Sequence, residues 1–185
     1  MKIFQFGQVI DGLKIYGRDA PYPVLNERDA RAAAGIMLII GIVTFVYALL
    51  LQNFVPLTIV VLAFTLEFAI RVLINPQLAP FYALGTFIVS NQKPEYSGAV
   101  QKRFAWSLGL AMALTMIIVF FGFGLRGIVP FTICSICLAL LWLETSFGIC
   151  VGCKLYNGLM ALGIIPQPTH KPACPGGVCE IRPKK

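Results

Sequence analysis

Charge is what this chain has least of. Only 12% of its 185 residues are Asp, Glu, Lys or Arg, against roughly 25% in soluble domains. That shortage excludes an ordinary soluble globule and makes a membrane protein the first reading. Histidine is nearly missing as well. His170, in the tail, is the single imidazole, so a Ser-His-Asp constellation is excluded. Gly122, Gly124 and Gly127 follow no strand and precede no Gly-Lys-Ser/Thr, which excludes a phosphate loop. No signal peptide is expected either. The first 31 residues carry Lys2, Asp11, Lys14, Arg18, Asp19, Glu27 and Arg28 and have no long apolar core. The first membrane helix then serves as its own insertion signal.

Long apolar runs take the place of charge. Hydrophobic residues make up 58% of the chain, concentrated in four stretches at about 32–51, 55–74, 104–124 and 128–149. Each has the roughly twenty residues that cross a hydrocarbon core of about 30 Å as a helix. The fold class expected is an all-α integral membrane protein: four transmembrane helices as two similar hairpins, plus an interfacial N-terminal arm. Residues 1–25 form the arm, 26–163 the transmembrane domain and 164–185 a flexible tail rich in Cys and Pro. Asn26 is the expected N-cap before the first span, and Pro21 and Pro23 stop any earlier helix.

The net charge is +7. Its positive residues flank the apolar runs, so the lipid bilayer is the partner they imply and nucleic acid is not. Lys2, Lys14, Arg18, Arg28 and Arg31 precede the first run, Lys93, Lys102 and Arg103 lie between the second and third, and Lys154, Lys171, Arg182, Lys184 and Lys185 follow the fourth. The first hairpin loop has no positive residue and the second only Arg126. The positive-inside rule places both termini in the cytoplasm, with the chain multi-pass in a cell inner membrane.

An internal register links the two halves. Shifted by 74 residues, Val55-Pro56-Leu57-Thr58-Ile59 meets Val129-Pro130-Phe131-Thr132-Ile133, Gly35 meets Gly109 and Tyr82 meets Tyr156. This favours a duplicated helical hairpin, its copies related by an axis along the membrane normal. Pro76 and Ala79 stand opposite Cys150 and Cys153, so the thiol pair belongs to the second half alone. Leu78–Val89, interrupted by Pro80 and Gly85, is too short to span and is expected as an interfacial or re-entrant helix.

Six cysteines are present. Cys150-Val-Gly-Cys153 sits where the fourth apolar helix runs out, about two turns after Glu144. Two thiols at this spacing reach one metal ion, one sulfur species, or each other. On the reducing side of a membrane a static structural disulfide is disfavoured for them. Redox exchange, sulfane-sulfur carriage and soft-metal binding all stay open, against two small apolar residues at a helix end. Cys134 and Cys137 share a helical face with Glu144. They are either small buried hydrophobes or part of a polar stripe leading to Cys150 and Cys153. Cys174 and Cys179, in the tail, could complete four thiolates around a soft ion such as zinc with Cys150 and Cys153, or act as a resolving pair. Glu67 and Arg71 have the i, i+4 spacing of a helical ion pair, with Arg71 near enough to the membrane edge to snorkel. Glu144 has no partner in its own helix; it is expected either to pair with Arg71 across the bundle or to handle a proton beside the thiols. Trp106 and Tyr96 read as aromatics of the membrane interface.

Three segments together carry a resemblance: Asn26-Glu27-Arg28-Asp29-Ala30-Arg31, Gln101-Lys102-Arg103-Phe104-Ala105, and Phe147-Gly148-Ile149-Cys150-Val151-Gly152-Cys153-Lys154-Leu155-Tyr156. Over about 24–163 the chain resembles the small bacterial membrane proteins catalogued as domain of unknown function 4395. The last segment is the specific one, and by motif it carries Cys150, Gly152, Cys153 and Tyr156. Members are often encoded near thioredoxin-like and rhodanese-like proteins, so the resemblance implies thiol or sulfane-sulfur metabolism, with such a protein as cytosolic partner.

The leading expectation is a membrane thiol protein, with Cys150 and Cys153 exchanging disulfide, sulfane sulfur or a soft metal at the cytoplasmic edge. Two alternatives compete with it: a non-catalytic accessory subunit of a larger membrane complex, and a small oligomeric transporter of a sulfur oxyanion or soft metal.

Overall fold

In the computed structural model, residues 6–15 and 18–166 are described. Four helices are long and apolar enough to cross a membrane. They are α1 (Glu27–Leu51), α2 (Val55–Leu73), α4 (Ala99–Ile117), which continues through a π-helical turn to Gly122, and α5 (Ile128–Phe147). Two short helices, α3 (Pro80–Ile88) and α6 (Val151–Ala161), follow α2 and α5. The protein is a multi-pass, all-helical membrane protein.

Local chemistry explains the boundaries. Asn26 caps α1 as expected, its Oδ1 accepting from the Arg28 amide, with Glu27 and Asp29 in the first turn facing the helix dipole. Asn53 Oδ1 accepts from the Val55 amide at 3.0 Å and Pro56 fills the first turn of α2, which keeps the hairpin to Gln52–Phe54. Gly124 and Gly127, at φ 61° and 102°, turn the chain from the π-helical end of α4 into α5. Two helices start earlier than the apolar runs do: α1 at Glu27 rather than residue 32, α4 at Ala99 rather than 104. The charges there, Glu27 and Lys102, end the apolar runs but not the helices, since Glu and Lys are good helix formers, and the two pair inside the protein.

The described part of the arm is structured by short strands. Strands β1 (Lys14–Ile15) and β2 (Arg18–Asp19) pair antiparallel, and β3 (Val24–Asn26) pairs antiparallel with β4 (Tyr96–Gly98), the entry to α4. Phe6 packs edge-on against Trp106 with ring centroids 5.9 Å apart. Trp106 itself is buried beside Ala30, Ala33, Ala79 and Tyr82, which corrects its expected place at the membrane interface. A second cluster, around Phe54, Leu57, Met116, Phe120 and Cys134, closes the hairpin end of the bundle.

The short helices lie on long ones, α3 on α1 and α6 on α4. Small residues permit the approach. A Cβ on Gly85 would stand 2.7 Å from the Ala33 amide nitrogen, and one on Gly152 would stand 2.6 Å from Ala105 Cβ. Outward positions along the spans, such as Ile39, Leu50, Ile59, Leu66, Phe121 and Ile128, are exposed and apolar, as a lipid-facing surface requires.

Candidate functional site

The end of the bundle opposite the hairpins gathers the start of α1, the end of α2, α3, the start of α4, the end of α5 and α6. It also holds almost all the buried charge, in two separate groups.

The first group joins three helices. Lys102 Nζ donates to Glu27 Oε1 at 2.9 Å and to Glu144 Oε1 at 2.6 Å, and Ser97 Oγ donates to Glu27 Oε2 at 3.0 Å. Lys102 is 1% exposed. Glu144 therefore has a cationic partner across the bundle, but it is Lys102 and not Arg71. Arg71 is already taken: its Nε and Nη2 donate to Glu67 Oε1 at 2.8 and 2.5 Å. That i, i+4 pair forms as its spacing predicts. It is fully buried, however, so Arg71 does not snorkel to the membrane edge. The guanidinium lies over the rings of Phe68, Tyr82 and Trp106 at 5.3–5.7 Å, a cation–π cage that offsets part of its desolvation. Burial pushes the Tyr82 phenol above its ordinary range, Asp29 adding to the rise and Arg71 opposing it. Glu67 also accepts from the amides of Phe81 and Tyr82, both at 2.9 Å. A carboxylate of α2 thus caps α3, which has no cap of its own.

The sulfur site is built on a break in the fourth apolar run. Gly148, at φ 66°, ends α5 in the left-handed conformation that favours glycine. Cys150 then opens α6 as its N-cap, its Sγ accepting from the Cys153 amide at 3.3 Å. Cys150 and Cys153 form a disulfide, with Cα atoms 5.2 Å apart. Both are buried, at 5% and 1% exposure. Glu144 stays in α5, so the carboxylate and the sulfurs lie on consecutive helices rather than on one. Tyr156, the other motif residue, packs against Phe104 of α4 at 5.4 Å between centroids. Gly152 is the point of contact: Gly152→Ala should push α6 off α4 and slow formation of the Cys150–Cys153 bond. Cysteine alkylation after timed reoxidation checks this, and unchanged kinetics would show that the contact can give way.

A cavity of about 480 Å³ connects the parts. Cys134, Cys137, Glu144, Cys150 and Arg71 all reach its wall, which apart from these and Thr115 is apolar. The expected stripe of Cys134, Cys137 and Glu144 is therefore one side of a real space. Cys134 and Cys137 are free thiols. No three His, Cys, Asp or Glu side chains among the described residues are placed to hold a metal ion. Cys174, Cys179 and His170 lie outside the described residues, so the four-thiolate arrangement with Cys150 and Cys153 does too. Lys102 and Glu27 were not singled out from the sequence. The available signal was the unpaired Glu144, which needed a cation, with Lys102 the nearest one on another span once Arg71 is paired at i, i+4.

No curated protein and no solved structure matches the chain. One family model does, described as a domain of unknown function (DUF4395), and it covers residues 25–161. That match includes all four long helices, both charge groups and the Cys150–Cys153 site, and the chain belongs to this DUF4395 family.

Proposed function

We propose that the protein is a membrane thiol protein whose Cys150/Cys153 pair exchanges disulfide or sulfane sulfur at the cytoplasmic edge of a cell inner membrane. The observation that carries this reading is the Cys150–Cys153 disulfide at the start of α6, against the wall of a membrane cavity. A sulfur at a helix N-terminus meets unpaired amides and the positive end of the dipole, which favours the thiolate. Cys150 occupies that position, and its Sγ already accepts from an amide of α6. Cys150 is thus the attacking sulfur and Cys153, the deeper one, resolves. The cytoplasmic placement rests on charge: Arg28, Arg31, Lys93, Arg103 and Lys154 lie at this end, against Arg126 at the hairpin end. A thioredoxin-like or rhodanese-like protein would be the soluble partner.

Alkylation and mass spectrometry of rapidly quenched membranes test the reading. Cys150 and Cys153 should move between dithiol and disulfide, or carry extra sulfur, as the cell's redox state or sulfur supply changes. Cys134 and Cys137 should stay reduced. The Cys150→Ser/Cys153→Ser variant should lose the associated phenotype entirely. A pair that stays oxidised under every condition, with a fully active double variant, would move the protein to the accessory-subunit reading.

A further inference from the structure

The sulfur pair is hard to reach from water. Cys153 is buried completely and Cys150 almost so, so a soluble partner has to reach the pair through Cys150. The cavity reaches Cys150 from the other direction. It runs from Leu57 and Cys134, near the hairpin end, to Glu144 and Cys150 at the charged end. Exposed positions on its wall are Ala111 and Thr115 of α4 and Val151 and Leu155 of α6. The cavity therefore opens sideways along α4, where a bilayer lies against the helices. Its volume falls within the roughly 300–1,000 Å³ of small-molecule sites. A ligand for this space must dissolve in lipid and carry a group that reacts with sulfur or its electrons.

We propose that the cavity takes the ring of a lipid-soluble quinone, which accepts the electron pair of the Cys150/Cys153 dithiol. The inference rests on the thiol-exchange reading above and names its second substrate. The reaction balances without further reagents. Two S–H bonds break and the Cys150–Cys153 S–S bond forms. The dithiol loses two electrons and two protons, and the quinone gains both pairs to become the hydroquinone. Glu144 is the carboxylate on the cavity wall and hydrogen-bonds Lys102, so a proton leaving Cys150 has an acceptor on the way to a quinone oxygen. A dithiol partner returns the Cys150–Cys153 disulfide to the dithiol by thiol–disulfide exchange, itself becoming a disulfide, and the electrons pass from that partner into the membrane.

The test uses the full chain in lipid nanodiscs, reduced and freed of reductant, with a fully ring-substituted benzoquinone bearing a decyl chain; full substitution limits addition of thiols to the ring. One hydroquinone should form per protein as the Cys150–Cys153 bond closes, with none from Cys150→Ser/Cys153→Ser. Filling the cavity from two helices, by Leu138→Trp or Ala113→Phe, should each slow the reaction by about tenfold or more; two variants guard against one failing to fold. Diamide, a soluble thiol oxidant, separates the claims. If diamide closes the disulfide and the quinone does not, the quinone inference falls and the thiol reading stands. If neither closes it, both fall. Equal quinone rates in wild type and two folded filled variants would make the cavity a lipid space only and overturn the proposal.

Discussion

Lys102→Met should cost the bundle about 3–5 kcal/mol of stability. The size follows from what remains behind. Among the described residues Lys102 is the cation bonded to both Glu27 and Glu144, and it joins α1, α4 and α5 at one point. Without it, two carboxylates stay close together with no bonded cation, Glu27 buried beside the Ser97 hydroxyl and Glu144 half-buried. Removing one partner of a buried ionic group costs far more than the group's net contribution, because the stranded charge bears its full desolvation penalty. A triple variant tests that argument. Lys102→Met with Glu27→Gln and Glu144→Leu removes every charge together and should recover most of the loss, as apolar replacement of whole buried ion groups often does. Helical ellipticity followed on heating in detergent gives the comparison. A single variant that melts like wild type would mean the group does not hold the helices together.

The same group shows where sequence reading succeeds and where it stops. Apolar runs of about twenty residues identify the four spans, because crossing a bilayer demands length and little else. Asn26, Pro56 and Gly127 mark ends through local backbone chemistry and are legible for that reason. The i, i+4 spacing of Glu67 and Arg71 is local as well. Lys102 is different. It sits in the first turn of α4, where a charge reads equally well as a topology signal in water, and only packing on Glu27 and Glu144 shows that it is buried. The start of α6 was hidden by continuity of apolar residues through Ile149, although Gly148 after Phe147 is a stop signal in its own right. The disulfide was disfavoured on grounds of compartment, yet the N-cap geometry at Cys150 brings the two sulfurs together whatever side they face. The strands of the arm are announced by no periodicity: β3 has three residues, and its partner β4 lies some seventy positions on.

Glu67 and Arg71 should respond unequally to substitution, although they form one ion pair. Arg71→Met leaves the Glu67 carboxylate buried but still accepting from the Phe81 and Tyr82 amides. Those two donors, at the positive end of α3, offset much of the lost guanidinium, so the cost should be about 1–3 kcal/mol. Glu67→Leu strands more. Arg71 keeps its charge with three aromatic faces and a 3.6 Å contact from Nη2 to Met37 Sδ, none of which replaces a carboxylate. The first amides of α3 lose their cap at the same time. That loss should reach about 3–5 kcal/mol, and the damage should spread into α3. Glu67→Gln separates the two roles, since its amide oxygen can still cap α3 while the charge is gone; it should fall between the others. Hydrogen exchange across residues 80–88, together with melting of each variant, distinguishes the cases. Equal losses for Glu67→Leu and Arg71→Met, with α3 protected in both, would reduce the site to a simple ion pair. The predicted asymmetry would instead make Glu67 the residue that fastens α3 to the bundle, with Arg71 holding that carboxylate in place.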